Sequence, residues 1–137
     1  MFGTRVTYPV PMYPVSIAAA DVDGDNKLDI ILANWASNKV SVLRNNGNGT
    51  FAIQVNYATG TSPYFVVAAD VNADSKLDII VANYGSNNVG VLLNNGNGTF
   101  ATQVTYSTDT SPRSITAVDV NGDSKPDIIV ANDGSNN

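Results

Sequence analysis

The stretch Asp21-Val22-Asp23-Gly24-Asp25-Asn26-Lys27-Leu28-Asp29-Ile30-Ile31 returns as DVNADSKLDII from Asp70 to Ile80 and as DVNGDSKPDII from Asp119 to Ile129. Each copy starts 49 residues after the one before. Pro14, Pro63 and Pro112 keep the same spacing, as do Phe2, Phe51 and Phe100, and Tyr8, Tyr57 and Tyr106. Residues 21–69 and 70–118 share 31 identities in 49 positions. Self-similarity at that level marks a repeat architecture and fixes the unit from which the fold must be built.

One period reads as four short strands. Val15 to Ala20 is a small-residue strand that runs into the Asp loop. Asp29 to Asn34 carries Ile30-Ile31-Leu32-Ala33, a run that suits a strand buried on both faces. Val40 to Leu43 follows a turn at Ala36-Ser37-Asn38. The fourth strand alternates, with Phe51, Ile53, Val55 and Tyr57 on one side and Ala52, Gln54 and Asn56 on the other. Asn45-Asn46-Gly47-Asn48-Gly49 and its copy at 94–98 supply the positive φ that hairpin turns need. Four strands in about 40–50 residues, repeated, is the pattern of β-propeller blades. The fold class expected is therefore all-β, with blades of four-stranded antiparallel sheet on a 49-residue repeat.

The 137 residues then form a single repeat domain: an outer strand of an incomplete blade at 1–13, blades at 14–62 and 63–111, and the inner half of a third at 112–137. Three blades are too few for a ring, which typically has about 4–8. The expectation is a partial propeller, completed by homo-oligomerisation or by the missing part of a longer chain.

Composition narrows the function classes. All twelve acidic residues are Asp, and eighteen Asn and eleven Gly favour turns over helices. The net charge of -5, with only seven scattered basic residues, argues against a nucleic-acid partner. No apolar run is long enough for a membrane span, and Met1–Arg5 does not resemble a secretory leader. Histidine, cysteine and glutamate are absent, so the common acid–base and nucleophilic sets are unavailable and no enzyme is expected.

Ten of the twelve Asp residues fall in the three nine-residue loops. Asp21, Asp23, Asp25 and Asp29 occupy positions 1, 3, 5 and 9 of the first; Asp70, Asn72, Asp74 and Asp78 those of the second; Asp119, Asn121, Asp123 and Asp127 those of the third. So many carboxylates in so short a loop repel one another unless a cation joins them. Hard oxygen donors at alternate positions suit Ca²⁺, up to three ions per chain, better than the stricter octahedron of Mg²⁺. Softer metals lack His or Cys ligands here. Lys27, Lys76 and Lys125 at position 7 would each lend a backbone carbonyl while the ammonium points to solvent. The competing reading is that the Asp side chains only make Asx turns between strands. An EF-hand is excluded, since its twelfth position falls on Leu32 where Glu is needed.

DVDGDNKLDIILAN and its copies resemble the FG-GAP or VCBS-type repeat of integrin-α-like β-propellers, over nearly the whole chain. The resemblance implies a structural Ca²⁺ in each Asp loop, held by the Asp and Asn residues just named. The family often has Gly at position 6, where this chain has Asn26, Ser75 and Ser124; the second loop also has Ala73 at position 4. The first loop is thus expected to bind most tightly and the second most weakly.

The resulting function is a calcium-binding scaffold or interaction module, placed outside the cell or at its surface because such modules bind calcium at about 10⁻⁴–10⁻³ M. A protein or glycan is the expected ligand. The alternative is a lectin-like, carbohydrate-binding propeller in which Trp35 or Tyr84 stacks on a sugar ring; the opposing reading of these aromatics is that they cap the apolar interior of the blade. A fragment of a Ca²⁺-dependent polysaccharide lyase ranks third. Asn48-Gly49-Thr50 and Asn97-Gly98-Thr99 fit the N-glycosylation pattern, but also fit a hairpin turn.

Overall fold

The computed structural model describes residues 5–135. Two four-stranded antiparallel sheets carry the repeat. The first contains β1 (Pro14–Ala20), β2 (Asp29–Asn34), β3 (Lys39–Leu43) and β4 (Val55–Ala58), in that spatial order. The second contains β5 (Pro63–Ala69), β6 (Asp78–Asn83), β7 (Asn88–Leu92) and β8 (Val104–Ser107), again in chain order. A third sheet pairs β9 (Pro112–Val118) with β10 (Asp127–Asn132). These are propeller-like blades, as the repeat implied. No helix among the described residues is long and apolar enough to cross a membrane.

Register repeats as faithfully as sequence. Ala20 faces Asp29 across β1–β2, Ala69 faces Asp78 across β5–β6, and Val118 faces Asp127 across β9–β10. Each strand pair therefore begins at the ninth residue of an Asp loop. After β2 and β6 the chain makes one turn of 3₁₀ helix, Trp35–Ser37 and Tyr84–Ser86. Asn38 and Asn87 end these turns in the left-handed region, at φ 54° and 52°, which Asn tolerates better than most residues. Their side chains then reach forward. Asn38 Oδ1 accepts the N–H of Ser62 and Asn87 Oδ1 that of Ser111, both at 2.8 Å, tying each blade to the start of the next.

The core lies between the blades. Ala20, Ile31, Ala33, Val40 and Val42 of the first sheet are buried in one cluster with Val66, Ile79, Val81 and Leu92 of the second. Ile80, Ala82, Val89 and Val91, on the opposite face of the second sheet, pack with Ile115 and with the partly buried Ile128 and Val130. β6 is buried along its whole length because both of its faces are covered. That is why Ile79-Ile80-Val81-Ala82 is apolar without alternation. Full burial of one such side chain is worth about 2 kcal/mol.

Two expectations are corrected. The fourth strand was expected to begin at Phe51, with Ile53 on the same side as Phe51, Val55 and Tyr57. Instead the chain makes an isolated bridge between Asn45 and Phe51 and regains strand only at Val55, leaving Ile53 92% exposed. Phe51 nonetheless packs edge-on against Tyr8, with ring centroids 5.6 Å apart, as Phe100 packs against Tyr57 at 5.4 Å. The outer strand expected over Phe2–Tyr8 falls partly outside the described residues, and from Arg5 to Tyr13 no strand forms. Its counterparts β4 and β8 each pair with a preceding third strand. Among the described residues no third strand precedes this segment, and Pro9 and Pro11 remove two of its amide donors.

Candidate metal centre in the Asp loops

The first loop draws three carboxylates together. Asp21, Asp23 and Asp29 each place an oxygen within 4.8 Å of the others. Asp21 holds the loop in a tight turn: its Oδ1 accepts the N–H of Gly24 at 2.8 Å and its Oδ2 that of Asn26 at 2.7 Å. Asp29 is buried and fixed from both sides. Its Oδ2 accepts the N–H of Val22 at 3.0 Å and its Oδ1 that of Asn45 at 2.8 Å. Asp23 Oδ1 is buried and has no hydrogen-bond partner. Burial, followed by the negative charges of Asp29, Asp25 and Asp21, pushes the Asp23 carboxyl above its ordinary range. An oxygen that is buried, unpartnered and surrounded by like charge is an acceptor left without a donor.

Asp25 does not join this triad. Its Oδ2 lies 2.7 Å from Lys27 Nζ and its Oδ1 accepts the Lys27 N–H at 2.9 Å. The Lys27 side chain, hydrogen-bonded to it, holds the Asp25 carboxyl below its usual range. The Lys27 ammonium, expected to point to solvent, instead pairs with this carboxylate.

The second loop repeats the framework with weaker clustering. Asp70 Oδ2 accepts the Ser75 N–H at 2.7 Å, Asn72 Oδ1 accepts that of Asp74 at 3.0 Å, and Asp74 pairs with Lys76 at 3.3 Å. Asp78 is buried and clamps the N–H groups of Val71 and Asn94 at 3.1 and 2.8 Å. Burial raises its pKa, against the pull of those two amides. In the third loop Asp119 Oδ1 takes the Gly122 N–H at 2.6 Å and Oδ2 that of Ser124 at 2.8 Å. These amides, Gly122 first, hold the Asp119 carboxyl low. Asn121 accepts from Asp123, Asp123 from Lys125, and Asp127 from Val120. Among the described residues only the first loop gathers three carboxylates.

Asx-type bonds therefore shape all three loops, and the ninth-position Asp serves as a structural clamp, a role the spacing alone did not disclose. Sequence reading also missed Asn94. Its Nδ2 donates to Val22 O of the first loop at 2.8 Å and to Leu77 O at 3.0 Å. Together Asp21, Asp23, Gly24, Lys76 and Asn94 border a cleft of about 300 Å³ between the two loops. The signal for Asn94 was its identity with Asn45 at the repeat spacing.

The left-handed backbone falls at positions 4 and 6 of every loop, whether or not Gly stands there. Position 6 has φ 63° at Asn26 and 66° at both Ser75 and Ser124. Position 4 has φ 78° at Gly24, 81° at Gly122 and 62° at Ala73. The second loop thus carries two side chains in a region that costs an L-residue about 1–2 kcal/mol.

Trp35 and Tyr84 lie at the opposite end of β2 and β6 from the Asp loops. Trp35 meets Tyr64 and Tyr84 of the second blade at centroid distances of 5.6 and 5.2 Å. Arg113 stacks on Tyr64 at 5.3 Å and pairs with Asp133 at 3.0 Å. Trp35 is half-buried and bridges two blades.

The FG-GAP-like repeat family matches residues 21–81 and again 70–130, so each match runs from one Asp loop into the second strand of the next repeat. The chain belongs to the FG-GAP-like repeat family. A chain in the structure of the Photorhabdus luminescens Tc holotoxin pore is similar to this FG-GAP-like chain, with TM-score 0.57 and 23% identity. The likeness covers 89% of the FG-GAP-like chain and 6% of that one, and shows the fold. No curated protein matches.

Proposed function

We propose that this FG-GAP-like chain is a calcium-binding scaffold module that works outside the cell and has no catalytic role. The observation that carries the reading is the Asp21–Asp23–Asp29 triad, with Asp23 Oδ1 buried and unpartnered. A bound Ca²⁺ would satisfy that oxygen and offset the repulsion among the three carboxylates, and Asp25 would join on release from Lys27. The corresponding residues of the other loops, with Asn72 and Asn121 in place of a carboxylate, form two further sites of lower charge. Hard oxygen donors on a tight loop suit Ca²⁺, and affinities of about 10⁻⁴–10⁻³ M are met in extracellular fluid. Spanning only 6% of the toxin-pore chain it resembles, the module fits a role inside a larger assembly.

Calorimetric titration of Ca²⁺ into the chain and into single-loop variants tests the reading. Asp23→Ala should remove the tightest site, Asp74→Ala the weakest. Equal affinities in all loops, or no heat at all, would refute it.

A second reading rests on the Trp35–Tyr64–Tyr84 cluster beside Arg113. Half-exposed aromatic faces next to a charged fork are a surface on which a glycan can stack. A glycan-array signal lost in Trp35→Ala would favour this lectin-like role; a blank array would leave the scaffold.

A further inference from the structure

The chain builds one inter-blade interface twice, with the same positions 49 residues apart. On one side stand Ile31, Ala33 and Val42 in the first blade, and Ile80, Ala82 and Val91 in the second. Against them stand Val66, Ile79 and Val81 of the second blade, and Ile115, Ile128 and Val130 of the third sheet. Each sheet thus has a leading face and a trailing face, and only unlike faces meet.

Among the described residues two faces are left uncovered, one of each kind. The trailing face of the first blade shows Ile17, 66% exposed, beside the half-buried Ile30 and Leu32, which match Val66, Ile79 and Val81. The leading face of the third sheet shows Ile129, 44% exposed, with Val118 and Ala131; its counterparts in the second blade are Ile80, Ala69 and Ala82. Polar positions obey the same rule. Asn94 bonds across the interface to Val22 O, whereas Asn45, on the uncovered side, bonds with its amide only within its own blade, to Leu28 O.

We propose that these two faces bind a second copy of the chain, head to tail, by repeating the interface that already joins its blades. The occupant is chosen by continuity: the leading face of the third sheet is complementary in kind to the trailing face of blade one, and not to itself. Two copies supply about six blade positions, within the usual range of about 4–8, whereas three copies would exceed it. The interface is heterologous, and two copies close the ring through two equivalent contacts. The proposal depends on the fold and not on the metal.

Light scattering on the full chain, from micromolar to millimolar concentration and in both calcium and chelator, reads the outcome. The expected mass is twice 14.4 kDa in at least one of the two buffers. Ile17→Asp and Ile129→Asp, both at exposed sites and each checked by circular dichroism, should separately weaken dimerisation about tenfold or more, since each leaves a charge to be buried. Mixing the two variants should restore association, because one intact leading face then meets one intact trailing face. A chain that stays monomeric throughout would overturn the proposal and leave the faces to flanking repeats of a longer protein. Retained dimerisation in either single variant, or no recovery on mixing, would overturn the head-to-tail arrangement.

Discussion

Asn94 Nδ2 donates to Val22 O at 2.8 Å, so an amide in the hairpin of the second blade closes the Asp loop of the first. The same side chain also holds Leu77 O, and its own N–H is held by Asp78. A single buried Asn thereby couples two loops and two blades. Asn94→Ala should destabilise the chain by about 1–3 kcal/mol, since the buried Val22 carbonyl and the partly buried Leu77 carbonyl lose their donor. Asn45→Ala, which breaks no cross-blade bond, should cost less. Urea unfolding of the pair checks the difference; equal losses would remove Asn94 from this role.

Ala73 has φ 62° where the other two loops have Gly. A residue without a β-carbon relieves that strain, and Ala73→Gly should stabilise the metal-free chain by about 1 kcal/mol despite the added freedom of the unfolded state. Gly24→Ala should have the opposite sign: the site is sterically open, so the φ of 78° alone decides the loss. Thermal melts in chelator distinguish the two directions.

The Asp23 carboxyl is raised above 3.8 by burial and by its acidic neighbours. In the metal-free chain the folded state therefore binds this proton more tightly than the unfolded state does. The stabilisation it contributes is full below about pH 3.8 and fades as pH rises through the folded pKa. Asp23→Asn cannot titrate, so the melting temperature of wild type minus that of the variant should rise with acidification in chelator. In saturating calcium the sign should reverse, because protons then compete with the ion. A difference that is flat with pH would contradict this assignment.

Trp35 contacts Tyr64 and Tyr84 from across the blade boundary. Each aromatic pair is worth about 0.5–1.5 kcal/mol beyond its buried area. Trp35→Ala should therefore lower stability by about 1–3 kcal/mol whether or not a glycan binds. Unchanged unfolding in Trp35→Ala would show that the ring does not hold the blades together.

Much of this was legible in the sequence, for a physical reason. A 49-residue period repeats every local signal, so the strands β1, β2 and β3 and their copies stand within a residue of where apolar runs and turns place them. The Asp loops were legible because acidic residues otherwise avoid such density. Less legible was what depends on neighbours in space. Ile53 fits an alternating strand, yet no blade partner covers it. Asp25 matches the other loop carboxylates in spacing, but it pairs with Lys27. The clamp made by Asp29, and the reach of Asn94 across blades, need the packed structure to be seen. Tyr64 and Arg113 escaped notice because the repeats differ at that position, with Val15 as the third member.

The central claim is that a divalent ion in the first loop offsets the repulsion among Asp21, Asp23 and Asp29. Thermal unfolding in excess EDTA and in calcium at about 100 times the dissociation constant tests it most directly. A single site should then add about 2.7 kcal/mol of stability, lost in Asp23→Ala. Superimposable melting curves in the two buffers would contradict the account.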